Sequence, residues 1–125
     1  MFITNKGLTF AAHLKGIDRE LTIWGDHAIA GTKGAEVIPE LKVSEKDFIV
    51  PKRRYSGFFQ TDLDILLTEL GVKTVIMTGL HTHMCVRHTS ADAFCLGYDV
   101  VAAKEATASF TEEDYKGGLA YLKTC

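Results

Sequence analysis

The chain has 125 residues, 14 basic and 16 acidic, for a net charge of −2, with 46% hydrophobic and 24% charged side chains. That length holds one domain (residues 1–125), and the near-neutral balance excludes a sequence-independent nucleic-acid binder, which needs a basic face. No apolar run approaches the roughly 20 residues that cross a bilayer. Met1–Phe10 carries Asn5, Lys6 and Gly7 where a signal peptide needs its apolar stretch, so the expected compartment is cytoplasmic. The sparse cysteines, Cys85, Cys95 and Cys125, read as reduced thiols rather than a disulfide framework.

In chain order, Gly7–His13 is a short apolar run that predicts a buried strand. Leu14–Lys33 has charge, glycine and no period, and is expected to be a long loop. Ala35–Leu41 predicts one or two helical turns stopped near Pro39, and Asp47–Pro51 a second strand. Leucines at 63, 66, 67 and 70 form the stripe of an amphipathic helix over Thr61–Leu70, with Gly71 at its C′ position. Thr74–Thr78 is continuously apolar or β-branched, as in a strand buried on both faces. A turn at Gly79–His83 leads to a helix at about Cys85–Leu96 closed by Gly97, then a third buried strand at Tyr98–Ala103. Thr111-Glu-Glu-Asp114 is a capped start for a last helix that turns Tyr115, Leu119 and Leu122 inward. Apolar strands alternating with helices predict an α/β fold with a parallel sheet flanked by helices, whose ligand site lies beyond the carboxyl ends of the strands.

The chemistry-bearing residues fall at that edge. Cys85 lies at the first turn of a helix that follows a buried strand, where unpaired N–H groups favour a thiolate and could hold an oxyanion. A small buried hydrophobe is the competing reading. Cys95, among Ala93, Phe94 and Leu96, is expected in the core. Lys52 ends the second strand on the same edge, where its charge could stabilise a thiolate or oxyanion, or join Arg53 and Arg54 in a solvated basic cluster. His13 and His27 could be metal ligands or simply line a pocket; the position before His13 lacks the acidic side chain that a third ligand needs. His81, His83 and Cys85 alternate as a metal clip would, but across a tight turn such residues rarely converge. Gly31-Thr32-Lys33-Gly34 lacks the spacing of a phosphate loop.

Trp24-Gly25-Asp26-His27, Gly31–Val37, Lys52-Arg53-Arg54-Tyr55-Ser56-Gly57-Phe58, Gln60-Thr61-Asp62-Leu63 and Gly79–Thr89 with Asp92 and Ala93 together resemble the isochorismatase-like cysteine hydrolases, a family that includes nicotinamidases and N-carbamoylsarcosine amidohydrolases. The likeness runs from about Gly7 to Leu122. It implies a Rossmann-like parallel sheet flanked by helices, and hydrolysis of a small amide or related C–N bond through an acyl-enzyme on Cys85. It also implies Lys52 as the triad lysine and a cis peptide between Leu80 and His81. The backbone N–H groups of His81 and Cys85 would form the oxyanion hole, and Trp24, Tyr55 and Phe58 the substrate pocket. His13 and His27 match the metal-ligand histidines of the nicotinamidase branch, so a divalent metal such as zinc is the one cofactor implied, although its acidic ligand lines up with Ala11.

The chain also departs from the family pattern at its two ends. The triad aspartate belongs to a first strand that nothing upstream of Gly7 resembles, and the last strand is also expected to be missing, as in a truncated member. The expected partners are a small-molecule substrate and further copies of the chain in a homo-oligomer, with no nucleic acid and no membrane. The alternative is a catalytically inactive remnant that persists as an oligomeric or binding module.

Overall fold

A computed structural model describes residues 2–5, 23–25 and 27–124. The predicted strand Gly7–His13 and half of the loop Leu14–Lys33 lie outside the described residues. The chain divides into two compact units, Met1–Arg53 and Arg54–Cys125. Both contain parallel strand pairs, as the sequence predicts.

In the first unit, β1 (Phe2–Asn5) runs parallel to β2 (Ile49–Lys52), with Asn5 in register with Lys52. Four residues are too few to show a period, so β1 escapes a reading based on patterning. β2 alternates strictly: Val50 and Lys52 are buried, Ile49 and Pro51 exposed. The helical turns predicted over Ala35–Leu41 are 3-10 turns at Lys33–Ala35 and Pro39–Leu41. Pro39 opens the second turn rather than stopping the first, because a missing N–H and a fixed φ suit the first helical position.

The second unit is a β–helix–β–helix run preceded by α1 (Leu63–Glu69), which buries Leu63 and Leu67. Gly71, at φ +65°, closes α1. Its N–H bonds Thr68 O and that of Val72 bonds Leu67 O, both at 3.0 Å, the paired bonds of a Schellman end. β3 (Thr74–Leu80) pairs in parallel with β4 (Asp99–Ala108), and the connection is helical: a π turn at Thr82–Val86 running directly into α2 (Arg87–Cys95). Parallel neighbours need such a crossover. Gly97, at φ +89°, repeats the Schellman end, with Tyr98 N–H on Ala93 O.

The strands are less enclosed than expected. In β3, Val75 and Met77 are half-buried, but Ile76 is 68% exposed and Leu80 63% exposed, so the continuous apolar run has one covered face and one open face. β4 extends past the predicted Ala103 to Ala108 through an irregularity: Met77 pairs with Ala102 and Gly79 with Thr107. The π turn buries Val86, and helix α2 buries Thr89, Ser90 and Ala93. Cys95 stands two residues past Ala93, about 200° round the helix, and is therefore exposed rather than in the core.

Helix α3 (Glu112–Leu122) starts as predicted, with Thr111 Oγ1 accepting from Asp114 N–H at 3.1 Å, and acidic residues line its first turn. Tyr115, Leu119 and Leu122 are half-buried, and α3 packs on the π turn at Gly118. Among the described residues no helix is long and apolar enough to cross a membrane.

Adjacent glycines in α3 give opposite expectations. A Cβ on Gly118 would meet His83 N at 2.8 Å and Thr82 C at 2.9 Å, whereas one on Gly117 meets nothing within 4 Å. Gly118→Ala should lower unfolding stability in urea by about 1–3 kcal/mol through overpacking against backbone. Gly117→Ala should raise it by about 0.5–1 kcal/mol through the lost entropy of the unfolded chain.

Candidate active site

The carboxyl end of β3 delivers the chain into a cis Leu80–His81 peptide, as the resemblance implies, and then into the π turn. His81 O accepts from both Met84 N–H (3.0 Å) and Val86 N–H (3.2 Å), which fastens the turn to the strand end. Cys85 lies in this turn rather than in the α-helix proper, half-buried and unoxidised.

Residues 85, 88, 89 and 92 fall at the i, i+3, i+4, i+7 spacing of one helix stripe, and the last three meet the segment Tyr55–Gly57. The Tyr55 ring lies 5.3 Å from that of His88. Ser56 donates its hydroxyl proton to the Asp92 carboxylate and accepts from Phe58 N–H at 3.1 Å. Gly57 N–H donates to Thr89 Oγ1 at 2.9 Å, and the Thr89 hydroxyl donates to Cys85 O at 2.7 Å. His88 Nδ1 is 2.8 Å from Met84 O. A carbonyl can only accept, so Nδ1 carries the proton and Nε2 is left as the acceptor.

Three of these contacts, through Ser56, Thr89 and Asp92, were not assigned roles from sequence. The signals for them are their place in the motifs that carry the resemblance and their spacing: Thr89 is four residues after Cys85 and Asp92 seven.

A second cluster occupies the same edge. His81 stacks on Phe110, with ring centroids 3.8 Å apart, and His83 reaches Ser109 Oγ through Nδ1 at 3.0 Å. His83 Nε2 is 3.9 Å from Asp114 Oδ1. His81, His83 and Cys85 therefore do not form a clip: each histidine is engaged with the residues that lead into α3. Burial holds the His81 imidazole below its ordinary pKa, the neighbouring His83 lowers it further, and Asp114 opposes both.

Of the remaining sequence candidates, Lys52 is buried at the end of β2, and Trp24 is 46% exposed. Phe58 stacks on Tyr98 at 6.0 Å, at the far end of α2 from Cys85, so of the two aromatics in its segment Tyr55 is the one beside the Cys85 stripe. His27 is half-buried and its Nδ1 is 2.9 Å from Gly25 O, which leaves Nε2 as its acceptor nitrogen. His13 lies outside the described residues. Among the described residues no group of three His, Cys, Asp or Glu side chains could hold a metal ion.

A parallel strand that ends in a turn bearing a half-buried thiol, followed by a crossover helix, defines an α/β protein with its candidate site at the carboxyl edge of the strands. The chain belongs to the isochorismatase family: the model of the isochorismatase domain matches residues 11–125. It is 37% identical to nicotinamidase 3 of Arabidopsis thaliana over 110 residues, which cover 81% of this chain and 56% of that protein. The crystal structure of an isochorismatase-like hydrolase from Alkaliphilus metalliredigens is 40% identical with a TM-score of 0.87, over 98% of this chain and 63% of that one. The N-carbamoylsarcosine amidase of Thermoplasma acidophilum is 35% identical with a TM-score of 0.79, over 92% of this chain and 62% of that one. The chain spans about half the length of the curated relatives it matches.

The position of His81 is testable by proton NMR. Its imidazole should titrate below 6.5, and Asp114→Asn should move the midpoint lower still by removing the carboxylate that favours the cation. Because the folded chain binds this proton less readily than the unfolded one, His81 disfavours the folded state increasingly as pH falls below about 6.5. His81→Gln should flatten that part of the stability–pH curve.

Proposed function

We propose that the chain is a hydrolase of small amides or related C–N bonds, with Cys85 as nucleophile. The observation that carries this reading is the half-buried Cys85 thiol on the turn leaving β3, in a chain of this family. Support for C–N chemistry comes from the relatives named as a nicotinamidase and an N-carbamoylsarcosine amidase.

Cys85 Sγ attacks the substrate carbonyl, forming a C–S bond, and the C–N bond breaks as the nitrogen leaves with the thiol proton. Water then attacks the thioester, a C–O bond forms, the C–S bond breaks, and the sulfur regains a proton. The products are an acid and an amine or ammonia. Backbone N–H groups of His81 and Cys85 are assigned to the tetrahedral oxyanion, where a donor is worth about a hundredfold or more in rate. The resemblance assigns the positive charge to Lys52 and the aromatic side chains of the pocket to Trp24, Tyr55 and Phe58. Phe58 also stacks on Tyr98. A divalent metal such as zinc at His13 and His27 rests on the resemblance alone, and no step of the reaction passes through it.

Ammonia release from nicotinamide and from a panel of small primary amides tests the reading. Cys85→Ala should lower turnover by at least about a thousandfold, the scale of losing a nucleophile. Cys95→Ala, at an exposed thiol, should leave it unchanged. Turnover that survives in Cys85→Ala would sink the mechanism. One observation favours the second reading, an inactive module that self-associates: Ile76 and its register partner Val101 are both exposed, side by side on β3 and β4. No ammonia from the wild-type chain, with the same sedimentation for both proteins, would support that alternative.

A further inference from the structure

The segment Tyr55–Gly57 meets α2 at three neighbouring positions, and one of those contacts continues to the carbonyl of Cys85. A threonine in mid-helix often returns its hydroxyl proton to the carbonyl four residues back, and Thr89 does so to Cys85 O at 2.7 Å. What ordinary back-bonding does not require is the second bond on the same oxygen. The buried N–H of Gly57, 32 residues earlier in the chain, donates to Thr89 Oγ1 at 2.9 Å. Thr89 is itself 5% exposed, so neither bond is exchanged freely with water. Gly57 N–H, the Thr89 hydroxyl and the Cys85 carbonyl thus form a directional series in which each bond polarises the next.

We propose that Thr89 is a positioning residue for Cys85: its hydroxyl couples the Tyr55–Phe58 segment to the peptide that carries the thiol. This rests on reading Cys85 as the reactive thiol. A shift of the segment, such as a ligand against Tyr55 would cause, moves the Gly57 N–H and through Thr89 the Cys85 carbonyl. The Cys85 Cα, and so the direction of its thiol, is set partly by the segment and not by the helix alone. Valine at 89 keeps the shape and loses both bonds, whereas serine keeps the hydroxyl.

The test uses the full chain and no substrate. Iodoacetamide alkylation of Cys85 and Cys95 is followed by peptide mass spectrometry at one pH, with exposed Cys95 as internal reference. Thr89→Val should lower the Cys85:Cys95 rate ratio by about tenfold, the scale of a lost buried hydrogen bond, and Thr89→Ser should hold it within about twofold. An unchanged ratio in Thr89→Val, or an equal fall in Thr89→Ser, overturns the proposal. Should the valine variant not fold, hydrogen exchange on the wild-type chain decides. Alkylating Cys85 should change the exchange rate of the Gly57 amide while that of Val75 in β3 stays fixed, and an unaltered Gly57 rate overturns the coupling. Because ammonia release is not read, an absence of turnover counts against the hydrolase reading and leaves this result standing.

Discussion

The parallel pairing of β3 with β4 governs the second unit. A chain that leaves β3 at its carboxyl end must travel back along the sheet before it can enter β4 in the same direction. The crossover therefore begins at the strand's carboxyl end, and the turn that begins it is where Cys85 sits. The return leg is helical, and its end is fixed by Gly97 in the left-handed region, so that Tyr98 can cap the helix and Asp99 can open β4. The position of the thiol is thus a consequence of strand direction before it is one of local chemistry.

A second layer of constraint comes from the polar groups that the crossover buries. Segment Tyr55–Phe58 is neither helix nor strand, and buried N–H groups need acceptors. Helix α2 provides them through side chains, with Thr89 taking the Gly57 N–H and Asp92 the Ser56 hydroxyl. Residues that a sequence shows only as small polar types in a helix therefore hold an irregular segment in place.

The readable parts of the sequence were those where one local signal sufficed. The leucine stripe and Gly71 predicted α1 and its end, and the threonine before three acidic residues predicted the cap of α3. The apolar run at Thr74–Thr78 gave the strand but overstated its burial, since hydrophobicity reports what a side chain tolerates and not what lies opposite it. Ile76 is exposed all the same. Cys95 misled for a related reason: its apolar neighbours Phe94 and Leu96 are exposed with it, and helix phase decides which side faces inward. Pro39 reads as a stop in the sequence, yet its geometry suits a start equally well. The Thr89 and Asp92 contacts depend on residues more than thirty positions away, which no local window contains.

The irregularity in β4 has a further consequence. Between the pairs Met77–Ala102 and Gly79–Thr107, β4 has four intervening residues and β3 only Thr78, so this stretch bulges from the ladder and is held at Lys104 O by the hydroxyls of Thr107 and Tyr115. On its far side come Ser109 and Phe110, which carry the wall against His83 and His81. Because the pairs Gly79–Thr107 and Leu80–Ala108 anchor its far side, residues gained or lost within the stretch would be taken up there, while the ladder from Thr74 to Met77 and that wall both kept their places. The fold thus separates two quantities that a regular strand would lock together: the length of β4 and the placement of the residues that follow it.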